Sequence, residues 1–471
     1  MNENKNTNLA IKILLIIAFS SVFAIIALSK IKFAVYLGFG LLTLSLMIYF
    51  FGKIKEKKFF LIFIFIYPIL PWLWGFYLAS GLPVLRTQRI ACIILIIYML
   101  RNGLFTKYFA NFFKNKLFTL PILFIILSML FSSLLSIAKI PSIFYTVSFI
   151  LEYFIISVVV YNGFQKREEI ESLLTAIIYS ALVLCSFGLY ERIFDYNIFL
   201  MFGTYLENAI LDNLTRAGGI RIKTSFTHPI SFGAYLAMIL PLAIYKYRND
   251  YKKFFLALGL IIFAIMSTQS RSAQIGAGIA CILYFIFIEK NKLTIALFAS
   301  FPVIIFYSDK IFAFLQELNP FTATDAELVS STSARILQFN YYFEIIKSNF
   351  LFGYGMETIP AMLRDLFDGT GGFYDNSIDN FYLGYAFHFG IIGLIAWLYL
   401  MLAVIIKPIL LYGKTLLNDK LLLTILISCI IFNIINYIVF LQDYHYLFWI
   451  YLGIIARLMT IKKEELAKQT M

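Results

Sequence analysis

Residues 379–407 read DNFYLGYAFHFGIIGLIAWLYLMLAVIIK, and the run 381–406 within them contains no Asp, Glu, Lys or Arg. A helix rises about 1.5 Å per residue and bilayer hydrocarbon is about 30 Å thick, so roughly 20 apolar residues suffice to cross it. Working outward from this run, comparable ones lie near 9–28, 32–51, 59–78, 88–104, 117–137, 143–162, 173–190, 229–246, 253–269, 273–289, 293–308, 420–440 and 443–459. The composition agrees. With 61% hydrophobic and 14% charged residues and a mean hydropathy of +0.85, the chain has too little polar surface for a water-soluble globule. Backbone groups in hydrocarbon must be paired internally, and no alternating barrel pattern is present. The expected fold is therefore all-α, a polytopic integral membrane protein with about fourteen transmembrane helices.

Orientation follows from the basic residues. The net charge is +13, but most of the 39 Lys and Arg cluster between alternate runs: Lys53 to Lys58, Arg101 to Lys116, Lys166 and Arg167, Lys246 to Lys253, Lys290 and Lys292, Lys407 to Lys420, and Arg457 to Lys468. The positive-inside bias places these segments and both termini in the cytoplasm, which accounts for the charge without a nucleic-acid partner. The first run lacks a small-residue cleavage site and reads as a retained helix. Cys92, Cys185, Cys281 and Cys429 fall inside apolar runs without metal-ligand spacing and read as packing residues.

The chain divides accordingly into N-terminal transmembrane helices (1–190), an outer loop (191–228), transmembrane helices (229–308), a large outer loop (309–380) and C-terminal transmembrane helices (381–471). A loop as long as 309–380 in a tightly wound membrane protein is expected to be functional. Within it, residues 335–350 (RILQFNYYFEIIKSNF) space apolar residues at helical intervals before a break at Gly353 and Gly355. This predicts an amphipathic helix over the outer face.

Ionisable groups at the edge of hydrocarbon need an explanation. The segment 216–236, RAGGIRIKTSFTHPISFGAYL, puts Arg216, Arg221, Lys223 and His228 just ahead of a span that Pro229 would begin. Arg221 suits bidentate binding of a phosphate or, alternatively, contact with lipid headgroups. His228 reads as a proton carrier or as a helix cap. Arg271, in the tight Ser270-Arg271-Ser272 connection, and Arg335, after a Ser/Thr-rich stretch, face the same choice between anion binding and a surface role. Asp379-Asn380 opens the final long run, where a carboxylate can act as general base toward a sugar hydroxyl or cap the helix that follows. His388 and His445 read as packed, hydrogen-bonded histidines. No P-loop, no strand-borne GxGxxG, no GxSxG and no metal-ligand cluster occurs.

Four of these stretches, RIKTSFTHPISFGAYL (221–236), TQSRSAQIGA (268–277), SARILQFNYYFEIIKSNFLFGYG (333–355) and DNFYLGYAFHFGIIG (379–393), together resemble the O-antigen ligase and O-antigen polymerase superfamily of bacterial polysaccharide assembly. The ligases carry a His-Asn pair, nine residues and Gly-x-x-Gly. Asn380, Gly390 and Gly393 fit that pattern, whereas Asp379 stands in the His position, which favours a polymerase.

The resemblance implies a bacterial inner-membrane glycosyltransferase that needs no cofactor and no metal. Its substrate would be a polyprenyl-diphosphate-linked oligosaccharide, joined to another lipid-linked saccharide or, in a ligase, to a lipid A core. Arg216, Arg221, Arg271 and Arg335 would bind the diphosphate, and Asp379 or His228 would act as base. Membrane lipid is a partner, and a chain-length regulator is admitted as another. A transporter of the same lipid-linked saccharide is the rival reading. It predicts internal repeats and mid-bilayer charges, and neither is evident.

Overall fold

The computed structural model describes residues 54–76, 84–200, 215–216, 219–289, 339–356, 378, 380–436 and 444–469. The expected runs 9–28, 32–51 and 293–308 lie outside these. The described residues are helical apart from loops and two short antiparallel pairs, β1 (Gly75–Phe76) with β2 (Leu85–Arg86) and β3 (Thr215–Arg216) with β4 (Gly219–Ile220).

The helices in chain order are α1 (Glu56–Ile66), α2 (Thr87–Arg101), α3 (Leu104–Lys114), α4 (Thr119–Leu135), α5 (Lys139–Phe149), α6 (Ile155–Gly163), α7 (Arg167–Phe194), α8 (Pro229–Tyr247), α9 (Tyr251–Ser267) and α10 (Arg271–Phe287). They continue with α11 (339–348), α12 (Phe381–Tyr412), α13 (Lys420–Asn436) and α14 (His445–Gln469). Among the described residues, four helical stretches are long and apolar enough to cross a membrane: Lys139–Gly163, Arg167–Phe194, Pro229–Tyr247 and Phe381–Tyr412. Shorter apolar helices are α4, α10 and α13, so the expected count of about fourteen spans is not reached here.

Three runs depart from straight spans. The run 59–78 yields only α1, about 17 Å long, because Pro68 and Pro71 follow within five residues of its end and the chain turns into β1. The run 88–104 ends at Gly103, whose φ of 64° starts a 96° bend between α2 and α3. Between α5 and α6 the helix widens into a π-helical turn, Ile150–Phe154, whose buried Glu152 pairs with Arg89.

α8 is the axis of the bundle. Every residue from 231 to 245 is buried, as expected of a helix that is apolar all round, and it packs against α7, α9, α10 and α13. Peripheral helices expose apolar faces, such as Leu120, Phe124, Leu127, Phe131 and Leu134 on α4 and Phe255, Ile262 and Met266 on α9. Faces this large suit lipid and not water. At the end of the bundle where α7 and α13 begin, carboxylates pair with the basic clusters: Arg167–Asp419 at 2.5 Å, Lys246–Glu171 at 3.2 Å, Lys420–Glu289 at 3.1 Å, and Lys57–Glu169. The four cysteines are free thiols.

Candidate active site

The opposite end of the bundle is organised around residues 221–226, which run as irregular chain and a turn closed by Phe226 N donating to Lys223 O (3.0 Å), yet are buried throughout. Buried backbone of this kind must find partners. Ile222 N donates to Ser267 O (3.2 Å), Trp72 N to Ser225 O (2.8 Å) and Asn197 Nδ2 to Thr224 O (3.0 Å), while Ser225 Oγ donates to Pro68 O (2.6 Å).

The carboxylate of Glu191, 2% exposed near the end of α7, accepts from Thr224 N (2.9 Å), Lys223 N (3.2 Å) and Asn197 Nδ2 (3.1 Å). The ammonium of Lys223, itself fully buried, acts on it electrostatically. Three N–H donors and a neighbouring cation offset part of the cost of burying that carboxyl group. The same bonds hold Thr224 at a φ of 52°, a left-handed conformation that costs a β-branched residue about 1–2 kcal/mol.

Arg221, 4% exposed, donates from Nε to Thr268 O (2.9 Å) and so grips the turn that joins α9 to α10. Gln269 in that turn also has a positive φ, 49°. Ser270 caps α10, its side chain accepting from Ala273 N, and Arg271, half-buried, is the first residue of the helix.

α8 starts alongside. A Cβ at Gly233 would stand 2.6 Å from Ala273 Cβ and 3.0 Å from Thr268 Oγ1, so only glycine allows this approach. Tyr245, later in α8, acts electrostatically on Tyr284, later in α10, so the two helices run in the same direction. Two positive helix ends therefore lie together with Arg221, Lys223 and Arg271, and Glu191 of α7 is engaged by the loop's N–H groups and by Lys223. This arrangement attracts a multiply charged anion.

A second constellation lies at α12, where the expected span 381–406 is interrupted. Gly390 breaks the helix with φ 65° and ψ −172°. In a continuous helix Phe381 and Trp397 would be about 24 Å apart along the axis, yet their ring centroids are 5.1 Å apart and those of Tyr385 and Trp397 are 5.4 Å apart. The segment 381–389 is therefore folded back on the longer segment 391–412, which alone is about 33 Å long and sufficient to span hydrocarbon.

The backbone groups freed by the break are taken up by the end of the 339–356 segment. Tyr354 N donates to Phe387 O (3.0 Å), Gly355 N to His388 O (2.8 Å) and Ile391 N to Phe350 O (2.8 Å). Ser132 Oγ also reaches His388 O (2.5 Å), and His388 Nδ1 lies 3.0 Å from Gly355 O. Non-helical backbone at membrane depth is tolerated when protein satisfies it in this way. α11 buries Tyr342, Ile345 and Ile346 and exposes Asn340, Glu344 and Lys347, the amphipathic pattern expected, with Phe339 and Phe343 also exposed. It packs on Leu383 and Phe387 of the folded-back segment.

The arginine pole and the fold-back meet through α13 and α14. Gly276 of α10 approaches Ile431 and Ile435, and Tyr382 Oη donates to Asn433 Oδ1 (3.2 Å). Phe226, Tyr235 and Tyr446 form a chain of rings at 5.1 and 6.2 Å, and His445, the neighbour of Tyr446, lies 5.2 Å from Phe381.

Of the residues singled out in the sequence, Arg221, His228 and Arg271 come together at the arginine pole, while Asn380, Gly390 and Gly393 are spread along the fold-back. The backbone of Arg216 lies in β3, five residues before Arg221. Arg335 and Asp379 lie outside the described residues. His228 follows the capping reading, its Nδ1 accepting from Ile230 N at 3.2 Å. Asn380 caps the folded-back segment, Oδ1 accepting from Leu383 N at 3.0 Å. Gly393 has a packing reason, since a Cβ there would stand 2.3 Å from Phe389 Cβ. Glu191 was missed in the sequence, although a lone carboxylate at the end of the apolar run 173–190 was the available signal.

These features define a membrane-embedded helical bundle with a cationic pole at one end and a helix folded back beside it. Residues 256–398 match the family model described as O-Antigen ligase. The match takes in α9, α10 with Arg271, α11 and the fold-back of α12. This part of the chain is thus similar to the O-antigen ligase family, in line with the motifs at 268–277, 333–355 and 379–393. No curated protein matches the chain.

Proposed function

We propose that the protein is a glycosyl-transferring polymerase of the bacterial inner membrane, joining polyprenyl-diphosphate-linked oligosaccharide repeats on the outer face. The observation that carries this reading is the cationic pole, where two helix N-termini, Arg271, Arg221 and Lys223 gather beside an apolar bundle. A lipid-linked diphosphate combines the matching charge with a chain soluble in hydrocarbon.

Arg271, the more accessible arginine, neutralises charge developing on the leaving diphosphate. Arg221 positions the turn that presents Arg271. The acceptor hydroxyl attacks the anomeric carbon of the donor, its proton passes to the carboxylate of Asp379, and the bond from the anomeric carbon to the diphosphate oxygen breaks with the electron pair leaving on the diphosphate. Asp379 precedes the cap residue Asn380, and an acid in place of the ligases' His favours a lipid-linked acceptor over a lipid A core. In this reading both termini are cytoplasmic and 309–380 forms the outer loop.

The test is incubation of the purified protein in lipid with a defined polyprenyl-diphosphate oligosaccharide, products being resolved by size. A ladder of longer lipid-linked glycans is expected, and Asp379→Asn should abolish it. Product formed only after a lipid A core acceptor is added would make the protein a ligase. No product with either acceptor would return the transporter reading.

A further inference from the structure

A small cavity with room for about one water-sized group lies against the folded-back segment, walled by Phe381, Tyr385, Trp397, Phe149, Tyr153 and His445 among others, none of them charged. It is bounded by both limbs of α12, the π-helical turn after α5, and the start of α14. Three buried polar atoms of its lining residues have no hydrogen-bond partner among the described residues: Tyr385 Oη, Trp397 Nε1 and His445 Nε2. These residues are 4%, 1% and 6% exposed. Buried polar groups are ordinarily satisfied, and three unsatisfied ones around one cavity are unusual enough to require an occupant. All three rings pack around Phe381, with centroid distances of 5.2, 5.1 and 5.2 Å.

We infer that this cavity receives a hydroxyl group of the acceptor saccharide, an inference that rests on the polymerase reading. The chemistry fits an uncharged hydroxylated ligand. Trp397 Nε1 can only donate, Tyr385 Oη can donate or accept, and a neutral His445 can do either according to its tautomer. A diphosphate finds no cation in this cavity. Phe381 is also two residues from Asp379, the proposed base, so a sugar anchored here would place a neighbouring hydroxyl close to that part of the chain.

The test uses the full chain in lipid nanodiscs with saturating lipid-linked donor. The varied acceptor is an alkyl glycoside of the same repeat, which can accept but has no diphosphate to lose. Tyr385→Phe removes only an unpartnered hydroxyl, and His445→Phe replaces the imidazole with an apolar ring. Each should raise KM for the alkyl glycoside about tenfold, with KM for the donor unchanged. Tyr385→Phe should melt no lower than wild type, because the hydroxyl it loses has no hydrogen-bond partner among the described residues. Unchanged acceptor KM in both variants, with an active wild type, would overturn the inference and leave the cavity to a single water. An inactive wild type would instead overturn the polymerase reading and this inference with it.

Discussion

The arginine pole and the fold-back of α12 solve opposite problems at the same end of the bundle. At the pole, charge is concentrated: Arg221, Lys223 and Glu191 are buried together, and the backbone is held in left-handed conformations at Thr224 and Gln269. At the fold-back, the cavity has no charged residue in its described lining, and a dense aromatic cluster surrounds polar atoms without partners among the described residues. The far end of the bundle shows what basic residues do when they serve stability and orientation, with Arg167, Lys246 and Lys420 each paired to a carboxylate of another segment. At the pole the carboxylate of Glu191 serves the backbone N–H groups of the loop as well as the neighbouring Lys223. The difference teaches that one region is built to receive a strong anion and the other a neutral, hydroxylated group, as donor and acceptor ends of a glycosyl transfer require.

Four changes would break or sharpen that contrast. Arg271→Ala should lower the rate of polymer formation by about 10²- to 10³-fold, the usual effect of losing a group that stabilises developing charge, while membrane insertion is unchanged. Quantitative product ladders at equal protein level check this, and normal chain lengths would remove Arg271 from the site. Gly390→Ala should destabilise the folded protein by about 2–3 kcal/mol or more, read as an earlier unfolding transition in detergent. The alanine would need a φ of 65° and would place its Cβ 2.2 Å from Leu351 O.

Glu191→Gln should raise KM for the lipid-linked donor about tenfold with little change in acceptor KM, since it weakens charge-assisted bonds that shape the 221–226 loop. Equal rises in both constants would mean that the loop serves the whole bundle rather than the pole. The smallest effect is expected from His228→Asn, which keeps a side-chain acceptor for Ile230 N and should retain activity within about twofold. A loss of 10²-fold or more would give His228 the proton-transfer role instead.

Much of the pole was legible in the sequence because charged residues at the ends of apolar runs are conspicuous. Arg221, His228 and Arg271 were marked by position alone, and Pro229 announced the helix start beside His228. What could not be read was the partnering: that Arg221 holds Thr268, and that Glu191 reaches across to Lys223 and Thr224, depends on loop paths with no periodic signature. The fold-back was hidden for a different reason. Hydropathy over 381–406 is continuous, and the glycine that breaks the helix is one of several in the run. The segment that satisfies the freed backbone groups is 35 or more residues earlier, at 350–355. Likewise the apolar run 59–78 counted as one span because hydropathy does not register the prolines that end α1.

The most direct test of this division of labour is the affinity of nanodisc-embedded protein for a polyprenyl diphosphate carrying no sugar, compared in wild type, Arg271→Ala and Tyr385→Phe. Binding should weaken at least tenfold in Arg271→Ala and stay at the wild-type value in Tyr385→Phe. Equal weakening in the two variants, or none in Arg271→Ala, would contradict a diphosphate site at the arginine pole separate from the fold-back.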